Sequence, residues 1–363
     1  MIEETAQPQV TLVIPTHGRR ELLQQTLDSV FAQTLSNWEA VIIDDHSPDD
    51  TGEWLAGLAQ QDQRIRVLTR QGFVGGANVS RNQGIAAARG QYVVFLDSDD
   101  LLEPECLQLR VRFLQRHPEL DFSVHAMRLF RSTPNDTDLT WNTLTEEDDF
   151  ERFLRVDGPW QTTAAMWRRA ALDRIGPWDP QLLSLQDLDF HIRAVAAGLR
   201  YEKINAWDCH YRFPLNRNSI TNGNRTRDHY QSHIRIADRL LALPDAVLDG
   251  SANRRDLLAG FCFYIAMRCV QKGALFSALS LWNRARKRGI ANGKGFVEGL
   301  AILLGEKCPW LFTPIKRRIM SKWPETWQMN FRTTLFHAPL PPRAGEELER
   351  FRTPPVKKER IAA

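Results

Sequence analysis

Apolar and polar residues alternate in blocks along the first hundred positions. Val10 to Ile14 is a short apolar run closed by Pro15, and Leu23, Leu27 and Phe31 then recur at helical spacing, so a strand followed by an amphipathic helix opens the chain. Val41 to Ile43 repeats the run, followed by a turn-forming stretch from Asp44 to Gly52 and a short helix holding Trp54, Leu55 and Leu58. Ile65 to Leu68 gives a third strand. Beyond Gly75 and Gly76, Asn78 to Arg89 reads as an Ala-rich helix and Tyr92 to Leu96 as a fully buried strand. Four strand-helix units in succession imply a mostly parallel sheet flanked by helices. Such a sheet binds ligands at the carboxyl ends of its strands, so the polar residues after Ile14, Ile43 and Leu96 are expected to face one crevice.

From Phe122 to about Phe213, strands mix with helices that begin near Arg168 and Asp187, completing a domain placed at residues 1–227. The pattern then turns helical. Leu257, Phe261 and Ile265, then Leu275, Leu279 and Trp282, form two apolar stripes separated by Gly273, the signature of a helical hairpin in a C-terminal domain at 228–337. The stretch 338–363 is rich in proline and charge, with too few large apolar residues to offset the entropy of ordering, and is expected to be disordered.

Composition narrows the classes. A chain of 363 residues exceeds what one ordinary core organises, and 43% hydrophobic with 25% charged residues excludes global disorder. A net charge of +3 gives no argument for a nucleic-acid partner, and none is expected. Five cysteines with no CxxC spacing fit neither a disulfide framework nor a zinc site. With an acidic, polar N-terminus that lacks the basic start and apolar run of a secretory signal, they predict a cytoplasmic protein. The longest apolar stretches, Leu257 to Met267 and Phe296 to Leu304, fall short of the roughly 20 residues a spanning helix needs, so any membrane contact is expected to be peripheral. Trp310, Phe312, Lys316, Arg317, Arg318, Lys322 and Trp323 form a basic, aromatic mixture suited to an anionic inner-membrane surface, or else to a helical-domain or homodimer contact.

The chemistry concentrates at Asp97-Ser98-Asp99-Asp100, delivered by a buried strand. Magnesium or manganese prefers hard oxygen ligands and commonly bridges a diphosphate to one or two carboxylates, so Asp97 and Asp99 are candidate ligands; the plain alternative is a turn that caps the next helix. Asp44-Asp45 follows the second strand at the same sheet edge, where a carboxylate accepts hydrogen bonds from a base or ribose, although loop capping accounts for either residue singly. Arg81 brings a fixed positive charge on the Ala-rich helix, where a solvated arginine is the alternative.

The blocks VIPTHGRRELLQQTLDSVFAQT, VIIDDHSPDDT and NVSRNQGIAAARGQYVVFLDSDD, in this order and spacing, resemble glycosyltransferase family 2 over about residues 8 to 220. The resemblance implies a GT-A fold: a Rossmann-like, mostly parallel sheet. It implies that Thr16, Asp45 and Arg81 hold the nucleotide of a nucleotide-diphosphate sugar, a UDP-sugar first among candidates. Asp97 and Asp99 would hold phosphate-bound manganese or magnesium, Asp99 being the direct ligand. Asp187, in SLQDLDFHIRA, takes the place of the family's general base, with Gln186 where similar members carry Glu; a helix-capping role competes for it. Asp189 is the weaker alternative, about 200° around the helix. His210 to Phe213, with Arg212 as a donor contact, and Arg217 to Ile220 resemble the segment that closes over the diphosphate. Trp160, Gln161 and Thr162, then Trp178 and Asp179, flank the base and form a candidate acceptor platform, with core packing the alternative for the tryptophans.

The implied activity is transfer of one sugar, with inversion, onto the hydroxyl of a glycan or lipid-linked acceptor in cell-surface polysaccharide synthesis. A processive polymerase would carry a membrane channel and a QxxRW motif, neither of which is present. A dinucleotide-dependent oxidoreductase would need GxGxxG where the chain has Thr16-His17-Gly18-Arg19. A GT-A-like scaffold without turnover is the remaining alternative, motivated by Gln186.

Overall fold

The computed structural model describes residues 7–72, 76–213, 227–306, 319–322, 341 and 343. In chain order the strands are β1 (Val10–Thr16), β2 (Trp38–Asp44), β3 (Ile65–Thr69), β4 (Tyr92–Phe95), β5 (Leu101–Leu102), β6 (Phe122–Phe130), β7 (Ala165–Arg168) and β8 (Tyr201–Arg212). The helices of the sheet region are α1 (Arg20–Phe31), α2 (Thr51–Gln61), α3 (Ala77–Ala87), α4 (Cys106–Arg116), α5 (Asp149–Leu154), α6 (Arg169–Ile175) and α7 (Gln186–Ala196). Those of the helical region are α8 (Arg227–Leu241), α9 (Asp245–Leu248), α10 (Arg254–Gln271), α11 (Leu275–Lys287) and α12 (Gly293–Gly305).

All eight strands form one mixed sheet in the order β3-β2-β1-β4-β7-β6-β8-β5. The first four are parallel, as the strand-helix repeat requires, while β7 runs antiparallel between β4 and β6. Strands β1, β2 and β4 are buried along their whole length, which explains their continuous apolar character: helices cover both faces, so no position faces water. Helix α3 packs on β1 and β2 through Gly84. A β-carbon there would drive into Val13 and lie 2.9 Å from Ile43 Cδ1, so only glycine lets the helix come this close.

The expected helical hairpin is α10 and α11, turned at Gly273 with φ +82°, where a side chain would be strained. Near residue 227 a helix begins, yet the apolar core does not stop there. Helix α10 packs on both α5 and α8, and buried residues run continuously from Val10 to Leu303. Among the described residues no helix is long and apolar enough to cross a membrane. Of the stretch expected to be disordered, Arg343 bridges the backbone of Trp207 and pairs with Glu103; the rest of it is outside the described residues except residue 341. Trp310 to Arg318 and Trp323 also lie outside the described residues.

Candidate active site

Three parallel strands end side by side. Register places Thr16 of β1 opposite Asp44 of β2, and Asp45 N–H donates to Thr16 O at 2.9 Å. Thr16 is buried, with its hydroxyl unpartnered among the described residues. Asp44 closes a local turn by accepting from Ser47 N–H and Oγ–H, whereas Asp45 accepts from Arg70 and, at 2.7 Å, from Gly76 N–H. Gly75 lies outside the described residues.

The acidic turn follows β4 and is tied down at both ends. Leu96 N–H donates to Val13 O at 3.0 Å, and Glu103 N–H donates to Asp208 O at 2.9 Å as β5 joins β8. Asp97 has both oxygens occupied: Oδ1 accepts from Arg81 Nη2 at 2.6 Å and Oδ2 from Gln161 Nε2 at 3.0 Å. Asp100 is buried and accepts from Thr163 Oγ1 at 2.7 Å. Asp99 keeps a 29% exposed side chain and pairs with Arg19 at 3.0 Å. Burial, then repulsion from Asp97, raises the Asp99 carboxyl above its usual range; Asp100 is raised further by burial and by Asp99. Arg212, over the Phe130 ring, donates from Nε to Asp99 O at 3.0 Å, which puts its guanidinium at the rim of this turn.

Arg81 is the hinge of the site. Its side chain is buried over the face of Trp178, 4.5 Å from the ring centre, with Nη2 on Asp97 and Nη1 4.0 Å from Asp187 Oδ1. The alternative of a solvated helix arginine is thereby excluded. Asp187 sits in the first turn of α7 just after Leu185, whose φ of 55° turns the chain sharply into the helix. Its Oδ1 is buried without a hydrogen-bond partner among the described residues, while the side chain as a whole is 42% exposed, so one oxygen faces inward and the group stays reachable. Desolvation by the surrounding walls raises its carboxyl, against the pull of Arg81. Helix α7 carries no side-chain cap, and Ser184 meets His233 instead. Asp189 points elsewhere: it is buried and paired with Arg193 at 3.0 Å and with Arg239. Among the described residues, Gln186 donates to Leu182 O at 3.3 Å.

The residues expected to form an acceptor platform do something else. Trp178 is fully buried and stacks on Phe190 with ring centres 4.1 Å apart, and Trp160 is buried against Phe153 and Phe122. Gln161 spends both ends internally, on Asp97 and on Thr163 N–H. These side chains build the floor and bracing of the site because apolar area next to a charged cluster is needed to close its underside. Arg19 and Thr163 were not singled out by sequence; the signal for Arg19 was its place just after the first strand's turn, facing the acidic turn. Arg217 to Ile220 lie outside the described residues.

A hard divalent cation fits this donor set. Magnesium in particular is commonly held by one or two carboxylates, with phosphate oxygens and water completing its shell. Crowding among three carboxylates is relieved by a cation; Asp97 and Asp99 both keep accessible surface, 22% and 29%, but the oxygens of Asp97 already accept from Arg81 and Gln161 while Asp100 is buried. Among the described residues no group of three or more acidic, histidine or cysteine side chains forms a metal cage.

With this geometry in place, comparison with known proteins is informative. The family model "Glycosyl transferase family 2" matches residues 11–175, from β1 to the end of α6, and so takes in the acidic turn, Arg81 and Gln161. This stretch, a little under half of the chain, carries the pattern of glycosyltransferase family 2. Among family relatives, the putative teichuronic acid biosynthesis glycosyltransferase TuaG of Bacillus subtilis is 33% identical over 36% of this chain and 51% of its own. The poly(ribitol-phosphate) beta-N-acetylglucosaminyltransferase TarP of Staphylococcus aureus is 39% identical over 27% of this chain and 31% of its own. The match spans between 12% and 51% of the length of the curated relatives. The structure of S. aureus TarS 1–349 in complex with UDP-GlcNAc superposes with a TM-score of 0.57, covering 88% of this chain and 89% of that one at 18% identity. The family's GT-A-like fold, a mixed sheet flanked by helices, is therefore the fold of this protein.

Proposed function

We propose that this protein is an inverting glycosyltransferase that moves one sugar from a nucleotide-diphosphate donor, a UDP-sugar first among candidates, to a hydroxyl of a glycan or lipid-linked acceptor in cell-surface polysaccharide synthesis. One observation carries the reading: a buried arginine stands between an acidic turn suited to a diphosphate and a reachable carboxylate whose inner oxygen, 4.0 Å from that arginine, accepts no hydrogen bond among the described residues. Relatives named for teichuronic acid and poly(ribitol-phosphate) glycosylation, and a structural neighbour bound to UDP-GlcNAc, support the substrate class.

In this reading Thr16 and Asp45 receive the nucleoside at the ends of β1 and β2. Arg81 holds Asp97 and sets the charge balance around Asp187. Asp187 accepts the acceptor's proton as its oxygen attacks the anomeric carbon opposite the leaving diphosphate; a single displacement of this kind inverts configuration. Arg212 and Arg19 stand at the rim, where they offset charge on the departing group. Manganese or magnesium held by Asp99, with Asp97 beside it, would supply Lewis-acid stabilisation of that diphosphate.

The direct test is a thermal-shift screen against UDP, GDP, dTDP and CMP nucleotides with and without manganese, alongside Asp99→Ala, because a ligand that binds the native state raises its melting temperature. Stabilisation by one diphosphate nucleotide, dependent on manganese and lost in Asp99→Ala, is the expected result. No stabilisation by any of these nucleotides would leave the GT-A-like scaffold as the better reading.

A further inference from the structure

The segment Trp178–Asp189 carries Asp187, and two helices hold it. From α3, Asn78 Nδ2 donates to Asp179 O at 2.7 Å, Asn82 Nδ2 to Trp178 O at 2.7 Å, and Trp178 N–H returns a bond to Asn82 Oδ1 at 2.8 Å. From α8, Arg235 Nε reaches Asp179 Oδ2 at 2.5 Å, and Arg239 forks, with Nη2 on Asp179 Oδ2 at 2.7 Å and Nη1 on Asp189. Ser232 Oγ accepts from Leu183 N–H at 2.9 Å. Both carboxylates are almost fully buried, 4% and 1% exposed, whereas Arg239 is 31% exposed.

Between these anchors Leu185 holds φ 55°, a left-handed conformation that an L side chain does not keep unless its surroundings impose it. Asp187 follows two residues later. The direction of its carboxylate toward Arg81 therefore depends on a strained turn whose two flanking acids, Asp179 and Asp189, are bridged by a single guanidinium from outside the sheet region. We propose that α8 is the positioning element of the reaction: Arg239, seconded by Arg235, braces the Trp178–Asp189 loop so that Asp187 keeps its place beside Arg81. Arg239 touches no substrate in this scheme and acts only through Asp179 and Asp189. The inference rests on the reading of Asp187 as the base, and it gives the helical region a role in catalysis.

Arg239→Met keeps the aliphatic stem and removes the fork, and Arg239→Lys restores one charge. The turnover probe is whichever nucleotide sugar stabilises the wild type, read as release of its nucleoside diphosphate with water as acceptor. Loss of alignment predicts that Arg239→Met lowers kcat by on the order of 10-fold to 100-fold while donor KM stays within about twofold, and that Arg239→Lys recovers part of the loss. Hydrogen exchange on the free protein should show amides 180–188 exchanging about tenfold faster in Arg239→Met, with β1, β2 and β4 unchanged. An unchanged kcat with unchanged exchange overturns the proposal, and so does a general weakening in which donor affinity and strand protection fall together. If the wild type releases no diphosphate from any nucleotide sugar, the reading of the site has failed and the catalytic role falls with it; the exchange arm then still decides whether α8 holds the loop.

Discussion

His191 lies one turn beyond Asp187 on α7, fully buried, and its ring stacks 6.0 Å from Trp167 among Trp160, Trp178, Phe153 and Phe190. Neither ring nitrogen has a hydrogen-bond partner among the described residues. Burial first, then the charges of Arg81 and Arg193, holds its pKa down to about 3 from an ordinary 6.5. Between those values the unfolded chain carries a proton at this position and the folded chain does not. Stability must therefore fall as pH falls below about 6.5, and the loss is complete only near pH 3. The linkage relation gives a penalty of about 2 kcal/mol at pH 5 against about 0.2 kcal/mol at pH 7. The perturbation is His191→Leu, close in volume and unable to titrate. Urea unfolding at pH 7 and pH 5 on both proteins, followed by tryptophan fluorescence, isolates the effect, because every other titrating group is common to the two and cancels in the difference. Wild type should lose about 2 kcal/mol more than His191→Leu on going from pH 7 to pH 5. Equal losses in the two proteins would refute a neutral, buried histidine beneath the site.

Asp187→Asn should cut kcat by about 10²-fold to 10⁴-fold while nucleotide affinity, measured by calorimetry, stays within about twofold; a rate near wild type would remove this residue as the base. Asp189→Asn, which takes the buried carboxylate from Arg193 and from one arm of the Arg239 fork, should cost about 1.5–3 kcal/mol in chemical unfolding and leave nucleotide binding intact. Gly84→Ala overpacks the contact of α3 with Val13 and Ile43 and should cost about 1–3 kcal/mol, with donor affinity falling as Arg81 shifts with its helix. Arg110 is buried and forks onto Asp208 at 2.8 and 2.5 Å, so Arg110→Met takes the permanent charge from that buried carboxylate, leaving His125 Nδ1 at 3.1 Å beside it, and should destabilise by about 3–5 kcal/mol. An unfolding midpoint unchanged in Arg110→Met would show that water reaches Asp208.

The sequence alone determined the strand-helix order of the first hundred residues, because a strand covered on both faces must be apolar throughout and an amphipathic helix must repeat every three to four positions. It also determined that Thr16, Asp45 and Asp97 share an edge, since parallel strands all end on the same side of their sheet. The hairpin at Gly273 was legible for a similar local reason.

Tertiary structure decided the rest, because the deciding contacts join positions far apart in the chain. Nothing local to Gln161 distinguishes a sugar platform from an anchor; its amide meets Asp97 only because antiparallel β7 is laid beside β4. Trp160 and Trp178 became floor rather than surface once β6, β7 and α7 closed over them, a matter of packing that aromatic character does not encode. In sequence, Asp187 stood ahead of Asp189 by family resemblance, not by anything local to either residue. They parted only when α8 brought Arg239 to one of them and α3 brought Arg81 toward the other, since a buried carboxylate takes its role from the charge opposite it.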